Sequence, residues 1–387
     1  MTEVVIVSAV RTPIAKLKGA LKDLDPAIYG GLVIQEAVRR AKIEGEEVDD
    51  VIFGNCLAGG GNMARLALLE AGLPVSVPGL TIDRQCGSGI NAVALAAERI
   101  SAGGIDIAVA GGTDSMTRIP YLMEAAPTAY SLIPPKFTKR PLAPESIGNP
   151  PMGITAENLV EQYGISREEQ DEFACRSQQR MAKAMEQGRF DEQILPIHLQ
   201  GRKGEEIIFD KDEHPRPNTS VEVLSTLNPA FKKGGSVTAG NASGMNDGAS
   251  ALVLMSSKEA EKRGLEPLAI VRDVAVAGVD PNIMGIGPVP ATQKVLEKNS
   301  MSLEDIDLIE INEAFAAQVL ACDRELHFDM DKVNVNGGAI AHGHPIAATG
   351  GMLIAKLIYE MKHRDVKRGL VTACCGGGQG ISLIIER

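Results

Sequence analysis

A chain of 387 residues exceeds what one hydrophobic core usually organises, so two domains or one duplicated unit is the expected plan. Hydrophobic residues make up 44% of it, with 41 glycines and no tryptophan, which fits a globular α/β protein with many tight turns and argues against disorder. A net charge of −11 without any long Lys/Arg run argues against nucleic acid or an anionic membrane surface as the main partner, whereas a polyanionic small ligand needs only a few local cations.

The chain enters an apolar strand at Val4-Val5-Ile6-Val7 without the pattern of a secretory signal. No apolar run reaches the roughly 18 residues of a membrane span, and the ending Ile384-Ile385-Glu386-Arg387 carries no peroxisomal-type address. The cysteines Cys56, Cys86, Cys175, Cys322, Cys374 and Cys375 have no CxxC or zinc-finger spacing. Neither a metal nor a disulfide framework is expected, and a reducing cytoplasm fits best.

Short apolar runs at Val4 to Val7, Val51 to Phe53 and Ile107 to Ala110 alternate with helical stretches such as Gly31 to Ala41, the pattern of a layered α/β architecture. A weak internal echo lies across this pattern. Asp50-Val51-Ile52-Phe53-Gly54-Asn55 aligns without a gap on Asp307-Leu308-Ile309-Glu310-Ile311-Asn312. After the first copy come Cys86-Gly87-Ser88-Gly89, an apolar helix and a strand ending at Gly112; after the second come Gly343-His344-Pro345, an apolar helix and a strand ending in Cys374-Cys375-Gly376-Gly377-Gly378. Chance can align two α/β segments this loosely, but the matching order of elements favours duplication. Residues from Met116 to Met245 differ, with proline pairs, a charged helical stretch from Ser166 to Gln187 and an irregular stretch near Glu213. The expected division is 1–115 plus 246–266 as one half, 116–245 as an inserted loop region, and 267–387 as the other half.

Cys86 stands at a strand-to-helix turn, where free N–H groups and the helix dipole favour a thiolate, although a lone cysteine is more often core. His344 holds the equivalent place in the second half, and if both helix starts face one cleft it can take the thiol proton. Metal binding by His342 and His344 lacks a third ligand at suitable spacing. Cys374 precedes a glycine loop whose N–H groups suit an oxyanion, although two small residues packed at a strand end explain the pair equally well. Asn312 closes its strand, either to cap the next helix, the simpler reading, or to hold a water.

These segments together resemble the thiolase family, in order and over nearly the whole chain, through Cys86-Gly87-Ser88-Gly89, Asn312-Glu313-Ala314-Phe315-Ala316, the Gly-His-Pro block ending at Pro345, and Cys374-x-Gly-Gly-Gly. The resemblance implies a duplicated five-layer α/β/α/β/α core with an inserted loop domain that holds CoA. It implies Cys86 as the acyl-carrying nucleophile, His344 as its activating base and Cys374 as the second acid/base. One oxyanion hole would be formed by His344 and a water on Asn312, the other by the N–H groups of Cys86 and Gly376. It further implies Ser243, Met152, Phe315 and Arg216 as contacts to the substrate, CoA thioesters as substrates with no permanently bound cofactor, and a homodimer or homotetramer. A decarboxylating ketoacyl-synthase-like enzyme and a non-catalytic CoA-binding scaffold are the alternatives. Pro151 stands where short-chain members commonly carry histidine, which leaves longer 3-oxoacyl substrates open. His342, Ala347 and a shortened Gly59 to Arg65 loop are further departures.

Overall fold

The structure, a computed structural model, describes residues 2–201 and 203–387. Its strands are β1 (Val4–Arg11), β2 (Asp50–Gly54), β3 (Gly79–Ile82), β4 (Ile107–Ser115), β5 (Asn246–Ser256), β6 (Ala269–Gly278), β7 (Leu308–Ile311), β8 (Arg368–Cys375) and β9 (Gln379–Glu386). The main helices are α1 (Pro26–Arg40), α2 (Met63–Glu70), α3 (Ser88–Ser101), α4 (Met152–Tyr163), α5 (Arg167–Glu186), α6 (Pro288–Lys298), α7 (Ala316–Leu326), α8 (Ala339–His342) and α9 (Ile346–Arg364).

The strand order β3-β2-β4-β5-β1 continues through a short β1/β6 ladder into β6-β9-β8-β7. A parallel bridge from Ile309 to Val333 occupies, beside β7, the place that β3 holds beside β2. Order and direction therefore repeat between the halves: two parallel pairings, then two antiparallel ones. Where β8 turns into β9 through Gly376, Gly377 and Gly378, the first half runs from β4 through α4, α5 and small hairpins before returning as β5.

Alternation along the strands builds the layers. In β4, Ile107 and Val109 pack with α1 and α2, while Ala108 and Ala110 pack with α3 and α9. In β8 and β9, Val371, Ala373, Ile381, Leu383 and Ile385 face the same central helices, and Leu370 and Ile384 face α6 and α7. Sheets covered on both faces need apolar residues at every position, which is why these strands read as continuous apolar runs. The result is the expected α/β/α/β/α stack with α3 and α9 as its middle layer.

Those helices meet at glycines. A Cβ on Gly350 would lie 2.2 Å from the Ile90 nitrogen, and one on Gly89 would lie 2.7 Å from the Gly351 nitrogen. Bare backbones let the helices touch near their N-termini, which draws the two preceding turns together.

Candidate active site

Cys86 lies in a 3-10 turn, Gln85–Gly87, and His344 precedes α9; each stands two residues ahead of its helix, at Ser88 and Ile346. The turn carrying Cys86 packs against α9 and β8. Gln85 has φ +49° and is held by its N–H to Asp83 Oδ1 at 2.8 Å, a strained conformation immediately before the half-buried thiol. The expectation of a favoured thiolate is corrected here. Burial raises the Cys86 thiol to about 11, against the opposing pull of the Gly376 and Cys86 N–H groups.

His344 is buried, and burial lowers its imidazole to about 4. Thr349 Oγ1 donates to the Pro345 carbonyl at 3.0 Å, so at 2.7 Å it accepts from His344 Nδ1–H. Nε2 is then a bare acceptor, approached at 3.4 Å by the Asn312 amide nitrogen. The main chain is held as firmly: His344 N–H donates to Asn246 Oδ1 at 2.9 Å, and Gly343, at φ +100°, leaves no room for a Cβ against Asn246. Pro345 takes the N-cap position of α9.

Asn312 does not cap the following helix. α7 starts only at Ala316 with Phe315 at its N-cap, and Asn312 Oδ1 is buried with no protein donor reaching it among the described residues. Its N–H donates to the Thr372 carbonyl at 2.9 Å, which ties it to β8 two residues before Cys374. Cys374 is fully buried, and its thiol is pushed well up by burial and then by the nearby Cys86. Gly376 is buried directly beyond the strand end.

Ser243 N–H donates to the Ala314 carbonyl at 3.0 Å, and Ala242 bridges to Phe315, so the Gly240 to Gly244 turn is stitched to the Asn312 segment. Met152 opens α4 and packs in one cluster with Phe315, Met284 and Cys374. Phe231 meets Phe315 edge-to-face at 5.9 Å and fills the space that a side chain on Gly153 would need. Pro151 is the N-cap of α4. Arg216 is exposed on a cavity of about 370 Å³ with Lys16, His214 and Met245, and Met245 bridges to His344.

Sequence reasoning missed several supporting groups. Asp114 is buried and accepts N–H groups from Cys56, Leu57 and Ala58 at 3.1 to 3.2 Å and from Ala347 at 3.4 Å. Its signal was a carboxylate inside an apolar strand. Thr349 and Asn246 had no pattern that set them apart from ordinary polar residues, and Glu313 stood in the Asn312 motif without a role assigned to it. His342 is buried, donates Nδ1–H to the Gly343 carbonyl at 2.8 Å and leaves Nε2 without a partner among the described residues. Among the described residues no group of His, Cys, Asp or Glu could hold a metal ion.

A duplicated α/β scaffold that sets a helix-start thiol near a second buried thiol, with a buried imidazole ahead of the neighbouring central helix, has the plan of a cysteine-dependent acyltransferase. Two family models, the thiolase N-terminal domain and the thiolase C-terminal domain, match residues 4–258 and 265–387. The chain belongs to the thiolase family. Acetyl-CoA acetyltransferases of Syntrophomonas wolfei and Escherichia coli are each 49% identical to it, over 99% of both chains and 100% of both chains respectively. Among solved structures, the acetyl-CoA acetyltransferase of Bacillus anthracis superposes with a TM-score of 0.95 at 49% identity, and human mitochondrial 3-ketoacyl-CoA thiolase with 0.94 at 41%, each over 100% of this chain and 99% of the other.

Proposed function

We propose that the protein is a thiolase that moves an acyl group between CoA thioesters, by condensing two acetyl-CoA molecules or by cleaving a 3-oxoacyl-CoA with CoA, through an acyl-enzyme on Cys86. The observation that carries this is the bare Nε2 of a neutral His344, fixed by Thr349 and set beside Asn312. In cleavage, Nε2 takes the Cys86 proton as the sulfur attacks the 3-oxo carbon. The N–H groups of Cys86 and Gly376 receive the oxyanion. The carbon-carbon bond breaks to an enolate held by His344 and a water on Asn312, and Cys374 protonates the enolate carbon. Cys374, now a thiolate, takes the proton of the CoA thiol as its sulfur attacks the acyl-Cys86 thioester; the shortened acyl-CoA leaves and His344 returns its proton to the Cys86 sulfur. A buried Cys374 that rests as the neutral thiol is the acid this direction needs; condensation runs the steps backwards from its thiolate.

Met152, Phe315 and Ser243 line the acyl and pantetheine path, and Arg216 takes a phosphate at the outer end. The loop region 116–245 carries the substrate contacts other than Phe315, while 1–115 with 246–266 and 267–387 form the halves, a division supported by the repeated strand order. The enzyme works in the cytoplasm as a homodimer or homotetramer and needs no permanently bound cofactor. Pro151 in place of a polar residue ahead of Met152 supports a substrate range beyond four carbons.

The test is thiolysis of acetoacetyl-CoA and of longer 3-oxoacyl-CoA thioesters, followed by loss of absorbance of the magnesium-enolate form. Cleavage that disappears in Cys86→Ala is expected; full activity in that variant refutes the assignment.

A further inference from the structure

We infer that Glu313 is a positioning residue whose buried carboxylate sets the spacing between Asn312 and His344, and that it ties this spacing to α5 of the substrate-binding region. The inference rests on the reading of Asn312 and His344 as the enolate hole. Glu313 is 1% exposed and directly follows Asn312. Its Oε1 accepts from Asn334 Nδ2 at 2.7 Å, and its Oε2 from Ser177 Oγ at 2.7 Å and from the Ile340 N–H at 3.1 Å. Ser177, on α5, in turn accepts the Gly338 N–H at 3.0 Å. Gly338 and Ile340 belong to the segment that leads through α8 to His344. The fit is close: a Cβ on Gly338 would lie 2.2 Å from the Glu313 carboxyl carbon.

The carboxylate cannot be exchanged for its amide without conflict. Asn334 Nδ2 also donates to the Ile311 carbonyl at 2.9 Å, and Asn334 Oδ1 accepts the Ile311 N–H at 2.9 Å, so Asn334 cannot turn round. A glutamine at 313 would point its NH2 group at Asn334 Nδ2 in one orientation and at the Ile340 N–H in the other. Either way two donors face each other and the segment shifts. Only an acceptor on both oxygens holds the end of β7, the segment from Asn334 to Ile340 and α5 at once. A misplacement of a fraction of an ångström between Asn312 and His344 weakens stabilisation of the enolate far more than acyl exchange at Cys86.

The experiment is a double-mutant cycle on the full chain with Glu313→Gln and Asn312→Ala. Two rates are read: thiolysis of acetoacetyl-CoA, and exchange of the acetyl group between acetyl-CoA and labelled CoA, which involves no enolate. Glu313→Gln is expected to slow thiolysis by on the order of 10²-fold and exchange by much less. In the Asn312→Ala background it should have little further effect on thiolysis, because the hole it aligns is already lost. Equal losses in both rates, or losses that multiply in the double variant, mean a merely structural role and overturn the inference. If Asn312→Ala alone leaves thiolysis unchanged, the enolate-hole reading fails and the inference falls with it. Should Glu313→Gln not fold, Ser177→Ala, which removes one link of the clamp, carries the same expected split with a smaller loss.

Discussion

Burial sets the resting protonation of Cys86 and His344 from opposite sides, raising the thiol to about 11 and lowering the imidazole to about 4. Near neutral pH the site holds a thiol and an uncharged imidazole, so the proton moves during attack rather than before it. The same burial links the histidines to stability. His214 is also lowered to about 4, and His342 is lowered well below its ordinary value, chiefly by burial. In the unfolded chain these rings titrate near 6.5, so between about 6.5 and 4 the unfolded state binds more protons than the folded one. Their contribution is complete above about pH 6.5 and is lost as the pH falls towards 4, each ring contributing about 1.4 kcal/mol for every tenfold loss of proton affinity on folding. The urea midpoint should therefore fall between pH 7 and pH 5, with a shallower slope in His342→Leu. A midpoint that is flat over this range contradicts the burial argument. In the sequence, small residues and helix starts made Cys86, His344 and Cys374 legible as candidates. The protonation was not, because it depends on what packs around the turn.

At the scale of elements, the α3 and α9 contact is what brings two half-sites into one. Gly350 has no space for a side chain against the Ile90 backbone, and a backbone cannot yield as a flexible side chain can. Gly350→Val should cost about 3 kcal/mol or more by overpacking. It should also lower thiolysis in whatever fraction still folds, because the helix starts are pushed apart. Denaturant unfolding and the specific activity of the folded fraction measure the two effects; unchanged values in both show that the helices have room to separate. Strand and helix positions were largely legible: β7 matches the expected Leu308 to Ile311, and α5 falls within the expected Ser166 to Gln187. Of the two readings of Asn312, the cap fails because α7 starts only at Ala316, although its sequence neighbours resemble a helix start. The tie to Thr372 comes from a strand about sixty residues further along the chain.

For the whole molecule, the long connection between β4 and β5 is anchored back onto the first strand. Arg11 and Asp212, each 1% exposed in the side chain, form a bidentate pair at 2.8 and 3.0 Å, and Arg11 Nε donates to Gln193 at 2.8 Å. Asp212→Ala leaves a buried guanidinium unpaired and should cost about 3–5 kcal/mol. Calorimetry and denaturant titration would show it, and a loss below about 1 kcal/mol means that water reaches the pair. The sequence by itself carried the layered duplicated plan, because apolar periodicity is a local property of the chain, and its motifs at Cys86, Asn312, His344 and Cys374 carried the resemblance to the family and the expectation of a thiol with two partners. Tertiary structure alone decided that the thiol and imidazole rest uncharged and that Glu313 and Asp212 hold distant segments in place. Those depend on desolvation and on contacts between residues far apart in sequence, which no local pattern encodes.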